Sequence, residues 1–151
     1  MEFENRVLKI KKTNKEAVLP EYATIGSVGL DLRATAEYNI PAGKHQLVKT
    51  GIAVEIPYGY VGQVCSRSGL AFKDGLQVLN APGIIDPDYR GNEDEIGVIL
   101  YNTGSIHEEY VVKKGDRVAQ LVLVPAPQFS IIEVDNLESE ARGGFGSTGR
   151  H

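Results

Sequence analysis

Apolar side chains recur at every second position along much of the chain. In RVLKIKK, Leu8 and Ile10 share one face; in GIAVEIP, Ile52, Val54 and Ile56 do the same. YVGQVCS, EIGVILYN, EYVVKK and RVAQLVLVP follow in the same manner. A two-residue period places alternate side chains on opposite faces and predicts strands. Turn formers stand between the runs: PAGK at Pro41, PYGY at Pro57 and KKGD at Lys113. Strand-sized units at roughly ten-residue spacing predict a sandwich or barrel rather than alternating strands and helices. The run Val118 to Val124 is apolar nearly throughout, which predicts a strand covered on both faces, with Gln120 as its polar exception. Only GLAFKD, from Gly69, has room for a turn or two of helix. Past Phe129–Val134 the composition changes to DNLESEARGGFGSTGRH. The pattern therefore predicts an all-β core over 1–135 and a glycine-rich arm over 136–151, long enough to reach beyond its own core. An arm carrying an aromatic, Phe145, but no core of its own needs a partner, and a second copy of the chain is the simplest one.

Length and charge narrow the picture. At 151 residues the chain is expected to form one domain. A net charge of -4 argues against a nucleic-acid partner, while leaving room for a local basic pocket. No apolar run approaches a membrane span, and MEFENRVLKIKK has no apolar signal core. Together with a single cysteine, Cys65, this predicts a cytoplasmic protein, with the nucleus open to it in a eukaryotic or virus-infected cell, and no membrane partner.

Five stretches carry candidate chemistry, and each also has a plain structural reading. SRSGLA (Ser66–Ala71) is either a strand-ending turn with an exposed Arg67 or a cradle in which Arg67, Ser68 and Gly69 hold phosphate oxygens. In VGLDLRA, Asp31 alternates with Leu30 and Leu32; it is either a solvent-facing strand aspartate or a carboxylate near the waters of a hydrated Mg²⁺. NAPGIIDPDYRG (Asn80–Gly91) reads as a hairpin that brings Asp86, Tyr89 and Arg90 close together. Such a hairpin is either structural or offers backbone groups in a fixed order to the edge of a flat base. Gln120 in GDRVAQL is a polar side chain in an apolar strand, satisfied by backbone or by a ligand. The tail GGFGSTG combines backbone freedom at glycine with a stacking face (Phe145) and hydroxyls (Ser147, Thr148), between Arg142 and Arg150; alone it is a disordered terminus. His45, His107 and His151 share no ligand spacing, and no zinc site or G-x-S-x-G nucleophile motif is present.

In this order and spacing, VGLDLRA, SRSGLA, GIIDPDYRG, GDRVAQL and GGFGSTG resemble the trimeric deoxyuridine triphosphate nucleotidohydrolases (dUTPases), and the resemblance covers essentially the whole chain. It implies a jelly-roll-like β-barrel assembled as a homotrimer, with sites at subunit junctions that cleave dUTP to dUMP and pyrophosphate with Mg²⁺ on the triphosphate. Carried over by position, Asp86 is the base that activates water. Tyr89 packs under the deoxyribose and excludes a 2′-hydroxyl. Asn80 and the backbone of Gly83, Ile84 and Ile85 read the uracil edge. Arg67, Ser68, Gly69 and Gln120 hold phosphates, and Asp31 sits near the metal's waters. Phe145 stacks on the base, while Arg142, Gly146, Ser147 and Thr148 close over the outer phosphates as a lid lent to another subunit.

Three places depart from the family pattern. Ser66 stands where proline is usual, which loosens the turn. Asn92-Glu93-Asp94 reads as an acidic insertion after DYRG. Glu140 occupies the usual place of the tail arginine, and Arg142 abuts Gly143 instead. Two alternatives remain at this level: a dCTP deaminase, or bifunctional deaminase, on the same barrel, and a trimeric regulatory module. Tyr89 in DYRG and the full tail favour the dUTPase over the first; Asp86, Tyr89, Arg67 and Gln120 favour an enzyme over the second.

Overall fold

The computed structural model describes residues 6–149; Arg150 and His151 of the tail lie outside the described residues. Ten strands and one short helix follow in the order β1 (Lys9–Lys12), β2 (Gly29–Arg33), β3 (Tyr38–Pro41), β4 (His45–Glu55), β5 (Tyr60–Cys65), α1 (Ser68–Asp74), β6 (Leu76–Val78), β7 (Gly83–Ile85), β8 (Glu95–Asn102), β9 (Glu109–Val112) and β10 (Arg117–Pro125). They form one sheet in the order β1-β4-β8-β6, a second in the order β2-β10-β5-β7, and a ribbon β3-β9. All the pairings are antiparallel. From β4 to β8 the chain changes sheet at each step, so neighbours in a sheet come from distant sequence. The fold is all-β and jelly-roll-like.

The period-two pattern explains which faces meet. On β8, Ile96, Val98, Leu100 and Asn102 point inward and are fully buried, while Glu95, Gly97, Ile99 and Tyr101 are half-buried. Leu30 and Leu32 on β2, and Val118, Ala119 and Leu121 on β10, join the same core. β10 is central in its sheet, as its apolar run suggested, although Val122 to Val124 are only half-buried. Asn102 is tolerated in the core because its amide is fully engaged. Its Nδ2 donates to the Ile40 carbonyl (3.0 Å) and the His107 carbonyl (3.2 Å), and its Oδ1 accepts from the Gly104 N–H (2.9 Å). The long strand β4 shifts register against β8 between Lys49 and Ala53. Gly51 lies in that shift at φ 70°, and a Cβ there would lie 2.8 Å from that of Ala17, so glycine is required twice over.

One sequence expectation changes. Asn80–Gly91 closes no strand pair within itself. Its strand β7 instead adds to β5, with Gly83 opposite Val64 and Ile85 opposite Gly62. Pro82 and Pro87 lack N–H donors, and the Asp86–Tyr89 turn, closed by the Tyr89 N–H on the Asp86 carbonyl (3.0 Å), leads the chain away. In addition, the last strand ends at Pro125, and residues 126–149 carry no helix or strand. The irregular stretch therefore runs on from Pro125 into the glycine-rich arm expected over 136–151. It includes Phe129, Ile131 and Ile132, which stand 81%, 98% and 78% exposed.

Candidate active site

Strand register builds the first cluster. Gln120 on the central β10 stands opposite Asp31 of β2 on one side and Cys65 of β5 on the other. The chain leaves β5 through Ser66 and Arg67 directly beside them. Arg67 Nε lies 3.2 Å from Asp31 Oδ1, and Arg117 Nη1 lies 3.4 Å from Asp31 Oδ2. Gln120 Nε2 donates to the Ser66 carbonyl at 3.1 Å, so backbone satisfies part of this amide. Arg67 is the N-cap residue of α1, extended at φ -90° and ψ 129°, and no side chain caps the helix start formed by Ser68 and Gly69. Two guanidinium groups, one carboxylate and one amide therefore crowd one spot, a donor-rich surface suited to phosphate oxygens. Ser66 does not loosen the turn: its Oγ accepts from the Val78 N–H at 2.8 Å and ties the end of β5 to β6, which a proline could not do.

Tyr110 and Asp116 share a concavity with Arg67 and Arg117. Burial raises the pKa of the Tyr110 hydroxyl above the usual tyrosine range, and the carboxylates of Asp74 and Asp116 push it the same way. The far end of α1 is held by His107, whose Nε2 lies 2.9 Å from Asp74 Oδ1.

The second cluster lines a cavity of about 730 Å³, where Asn80, Gly83, Ile84, Ile85 and Tyr89 come together with Lys12, Lys49 and Glu93. Gly83 packs closely: a Cβ there would lie 3.2 Å from that of Val64 and 3.3 Å from Asn80 Nδ2. The Tyr89 hydroxyl donates to the Glu95 carbonyl at 2.9 Å. Asp86 is exposed and faces a separate concavity of about 680 Å³, between Tyr58–Val61 and Ala126–Gln128. Arg90 bolts this segment down. Its Nη2 donates to the Ile56 carbonyl (3.0 Å), and its guanidinium stacks 4.8 Å from the Tyr58 ring centroid. Among the described residues, Arg90 Nε is the buried side-chain nitrogen left without a partner.

Gly83 pairs with Val64 near the Arg67 end of β5, but Asp86 lies away from that end. Ile85 sits opposite Gly62, and from Gly62 to Arg67 an extended chain covers roughly 16 Å. One chain therefore does not bring Asp86 to Arg67. The tail is separate again: 131–149 is exposed throughout, Phe145 is wholly exposed at φ 51°, and two turns, Ser147 N–H to Gly144 O (3.1 Å) and Gly149 N–H to Gly146 O (2.9 Å), fold Gly146, Ser147 and Thr148 back on themselves. Arg142 is exposed at the base of these turns. Sequence reasoning passed over Arg117, Glu95 and Tyr110. The GDR of GDRVAQL was the available signal for Arg117; the other two have no local signal, because tertiary contacts alone bring them in.

A family model described as dUTPase matches residues 15–149. The chain belongs to the dUTPase family. Deoxyuridine 5'-triphosphate nucleotidohydrolase of Nautilia profundicola is 49% identical over 145 residues, covering 95% of this chain and 99% of that protein. The protein of the same name from Anaeromyxobacter sp. is 46% identical over 147 residues, covering 96% and 97%. Among solved structures, a mutant of the Staphylococcus bacteriophage 80alpha dUTPase with dUpNHpp superimposes with a TM-score of 0.86 at 28% identity, covering 96% of this chain and 99% of that one. A mutant dUTPase from phage phi11 of S. aureus, which coordinates a structural Mg(II) ion, gives 0.78 at 27% identity, covering 88% and 99%. In the present chain, among the described residues, no three His, Cys, Asp or Glu side chains group as a metal cage. A hydrated Mg²⁺ carried in on phosphate oxygens would need no such cage; the carboxylate beside the two arginines is Asp31. No described helix is long and apolar enough to cross a membrane.

Proposed function

We propose that this chain hydrolyses dUTP to dUMP and pyrophosphate, in a site completed between three copies of itself. The observation that carries the assembly is the separation along β5: Arg67, Gln120 and Asp31 beside its last residue, Asp86 beyond the Ile85–Gly62 pair, and an arm exposed throughout 131–149. A second copy laid against the first supplies Asp86 and the Asn80–Tyr89 cavity to the arginine cluster, and the arm of another copy closes over both.

Within that site each residue has a task. Asn80 and the backbone of Gly83, Ile84 and Ile85 hydrogen-bond the uracil edge. Cytosine offers an N3 acceptor and a 4-amino donor where uracil has an N3–H donor and an O4 acceptor, and each unpaired buried group costs about 1–3 kcal/mol. The Tyr89 ring lies under the sugar and leaves no room for a 2′-hydroxyl. Arg67, Ser68, Gly69 and Gln120 hold the phosphates. The Asp86 carboxylate takes a proton from water; the water oxygen bonds to the α-phosphorus, and the bridging P–O bond to the β-phosphate breaks, releasing pyrophosphate. An Mg²⁺ carried in on the triphosphate would neutralise its charge, and Asp31 is the carboxylate that would take hydrogen bonds from its waters. Phe145 stacks on the base, and Arg142, Gly146, Ser147 and Thr148 cover the phosphates, excluding bulk water. The work belongs in the cytoplasm, where nucleotides are made and used: it keeps uracil out of DNA and supplies dUMP for thymidylate synthesis.

A substrate panel with pyrophosphate readout tests this. Expected is turnover of dUTP with Mg²⁺, little of dCTP or dTTP, and a trimer by sedimentation. An inert dUTP, ammonia released from dCTP, or a monomer overturns it.

A further inference from the structure

We propose that Asp94, in the acidic insertion, is a positioning residue that fixes the ring of Tyr89 and thereby sets how strictly the site rejects a ribose. The proposal rests on the reading of Tyr89 as the sugar-facing residue. Tyr89 is 40% exposed, so packing alone does not hold its ring. Its far end is anchored by the hydroxyl, which donates to the Glu95 carbonyl at 2.9 Å.

That carbonyl is placed by a closed loop. Asp94 Oδ2 accepts from the Gly91 N–H at 2.7 Å, while the Asp94 N–H donates back to the Gly91 carbonyl at 3.2 Å. The Glu95 N–H then donates to the Glu93 carbonyl at 2.9 Å. Gly91 leaves room for this contact: a Cβ there would lie 2.7 Å from Asp94 Oδ2. On its other side Glu95 is held by β4, opposite Ala53, and by Thr13, whose hydroxyl donates to Glu95 Oε1 at 2.5 Å. The insertion therefore does more than lengthen a turn. It delivers one acceptor to one phenol, at the wall of the cavity that Tyr89, Asn80 and Glu93 share. A tyrosine ring released from this acceptor can tilt, and the space under the sugar opens by the width of a hydroxyl.

The test measures kcat/KM for dUTP and for UTP on the assembled protein and on Asp94→Ala, Asp94→Asn, Tyr89→Phe and the double variant Asp94→Ala/Tyr89→Phe. Losing one hydrogen bond is expected to lower the dUTP-to-UTP preference by roughly fivefold in Asp94→Ala and in Tyr89→Phe. The double variant should fall no further than Tyr89→Phe, because both changes remove the same anchor. Asp94→Asn, whose amide oxygen can still accept from Gly91, should restore most of the preference. An unchanged preference in Asp94→Ala, or losses that add in the double variant, overturns the proposal while dUTP turnover by the unaltered chain stands. If Asp94→Ala does not assemble, an unchanged preference in Tyr89→Phe overturns it equally. An unaltered chain inert toward dUTP sinks the functional reading beneath it.

Discussion

Arg67 and Asp31 meet with Nε and Oδ1 3.2 Å apart, so the arginine is held in place by a carboxylate before any nucleotide binds. Arg117 holds the other oxygen of the same carboxylate at 3.4 Å. On the proposed function, a triphosphate entering here would meet a preformed fork rather than a free side chain, and less rotamer entropy would be lost on binding. Arg67→Ala should lower kcat/KM for dUTP by about 10- to 100-fold, the range of a charge-assisted hydrogen bond. Arg67→Lys should recover only part of this, because an ammonium cannot serve the aspartate and a phosphate in one plane. Steady-state kinetics on the three proteins decides it; full recovery by lysine would show that charge alone matters.

Asp86 is exposed and lies beyond the strand pairing of β7, so its carboxylate is available to water without disturbing the sheet. Asp86→Asn keeps the shape and removes the proton acceptor. Turnover should fall by about 10²- to 10⁴-fold, with the melting temperature and trimer unchanged. Turnover near the original rate would mean that another group takes the proton.

The tail contributes nothing to the core: every position from 131 to 149 is exposed. Removal of the residues after Ala141 should therefore leave thermal stability within about 0.5 kcal/mol and leave the trimer intact, while kcat/KM for dUTP drops. Calorimetry beside kinetics separates the two effects. A truncated protein of full activity would contradict the role of a lid.

Strand positions and faces were legible because a period of two is a local property; Asp31 between Leu30 and Leu32 could be placed on its face from five letters. The partition of the site was not. Nothing local says that β7 pairs with β5 rather than within Asn80–Gly91, and so nothing local says that Asp86 and Arg67 lie apart in one chain. Phe129 to Val134 is apolar enough to read as core, yet it pairs with no strand among the described residues, which no local pattern reveals. Ser66 shows the limit at a single residue: its partner, the Val78 N–H, is invisible until α1 brings β6 alongside.

Tyr110 ties the arginine cluster to alkaline stability. Its folded pKa is raised, first by burial and then by Asp74 and Asp116, and the His107 ring lies 5.4 Å from its own. Below about pH 10, the ordinary tyrosine value, folded and unfolded chains both keep the proton and the residue contributes its full share. Above it the unfolded chain sheds the proton first, so stability falls as pH rises toward the folded pKa. Tyr110→Phe should flatten denaturation midpoints measured between about pH 9 and 11. An identical alkaline slope in the variant would assign the loss to other groups.

Asn102 offers the clearest stability test, because its side chain is fully buried and serves three backbone partners. It joins the end of β8 to the Ile40 carbonyl on β3 and to the 104–107 loop, whose His107 holds the helix that follows Arg67. Asn102→Leu fills the volume but leaves those carbonyls and the Gly104 N–H unpaired. Each such group costs about 1–3 kcal/mol, so a loss of about 3 kcal/mol or more is expected in urea denaturation, a large part of what holds a domain of this size together. The effect should reach the site as well: with His107 displaced, Asp74 loses its partner and α1 is held less firmly, so KM for dUTP should rise even under conditions where the variant remains folded. A variant as stable as the original chain would mean that water replaces all three bonds.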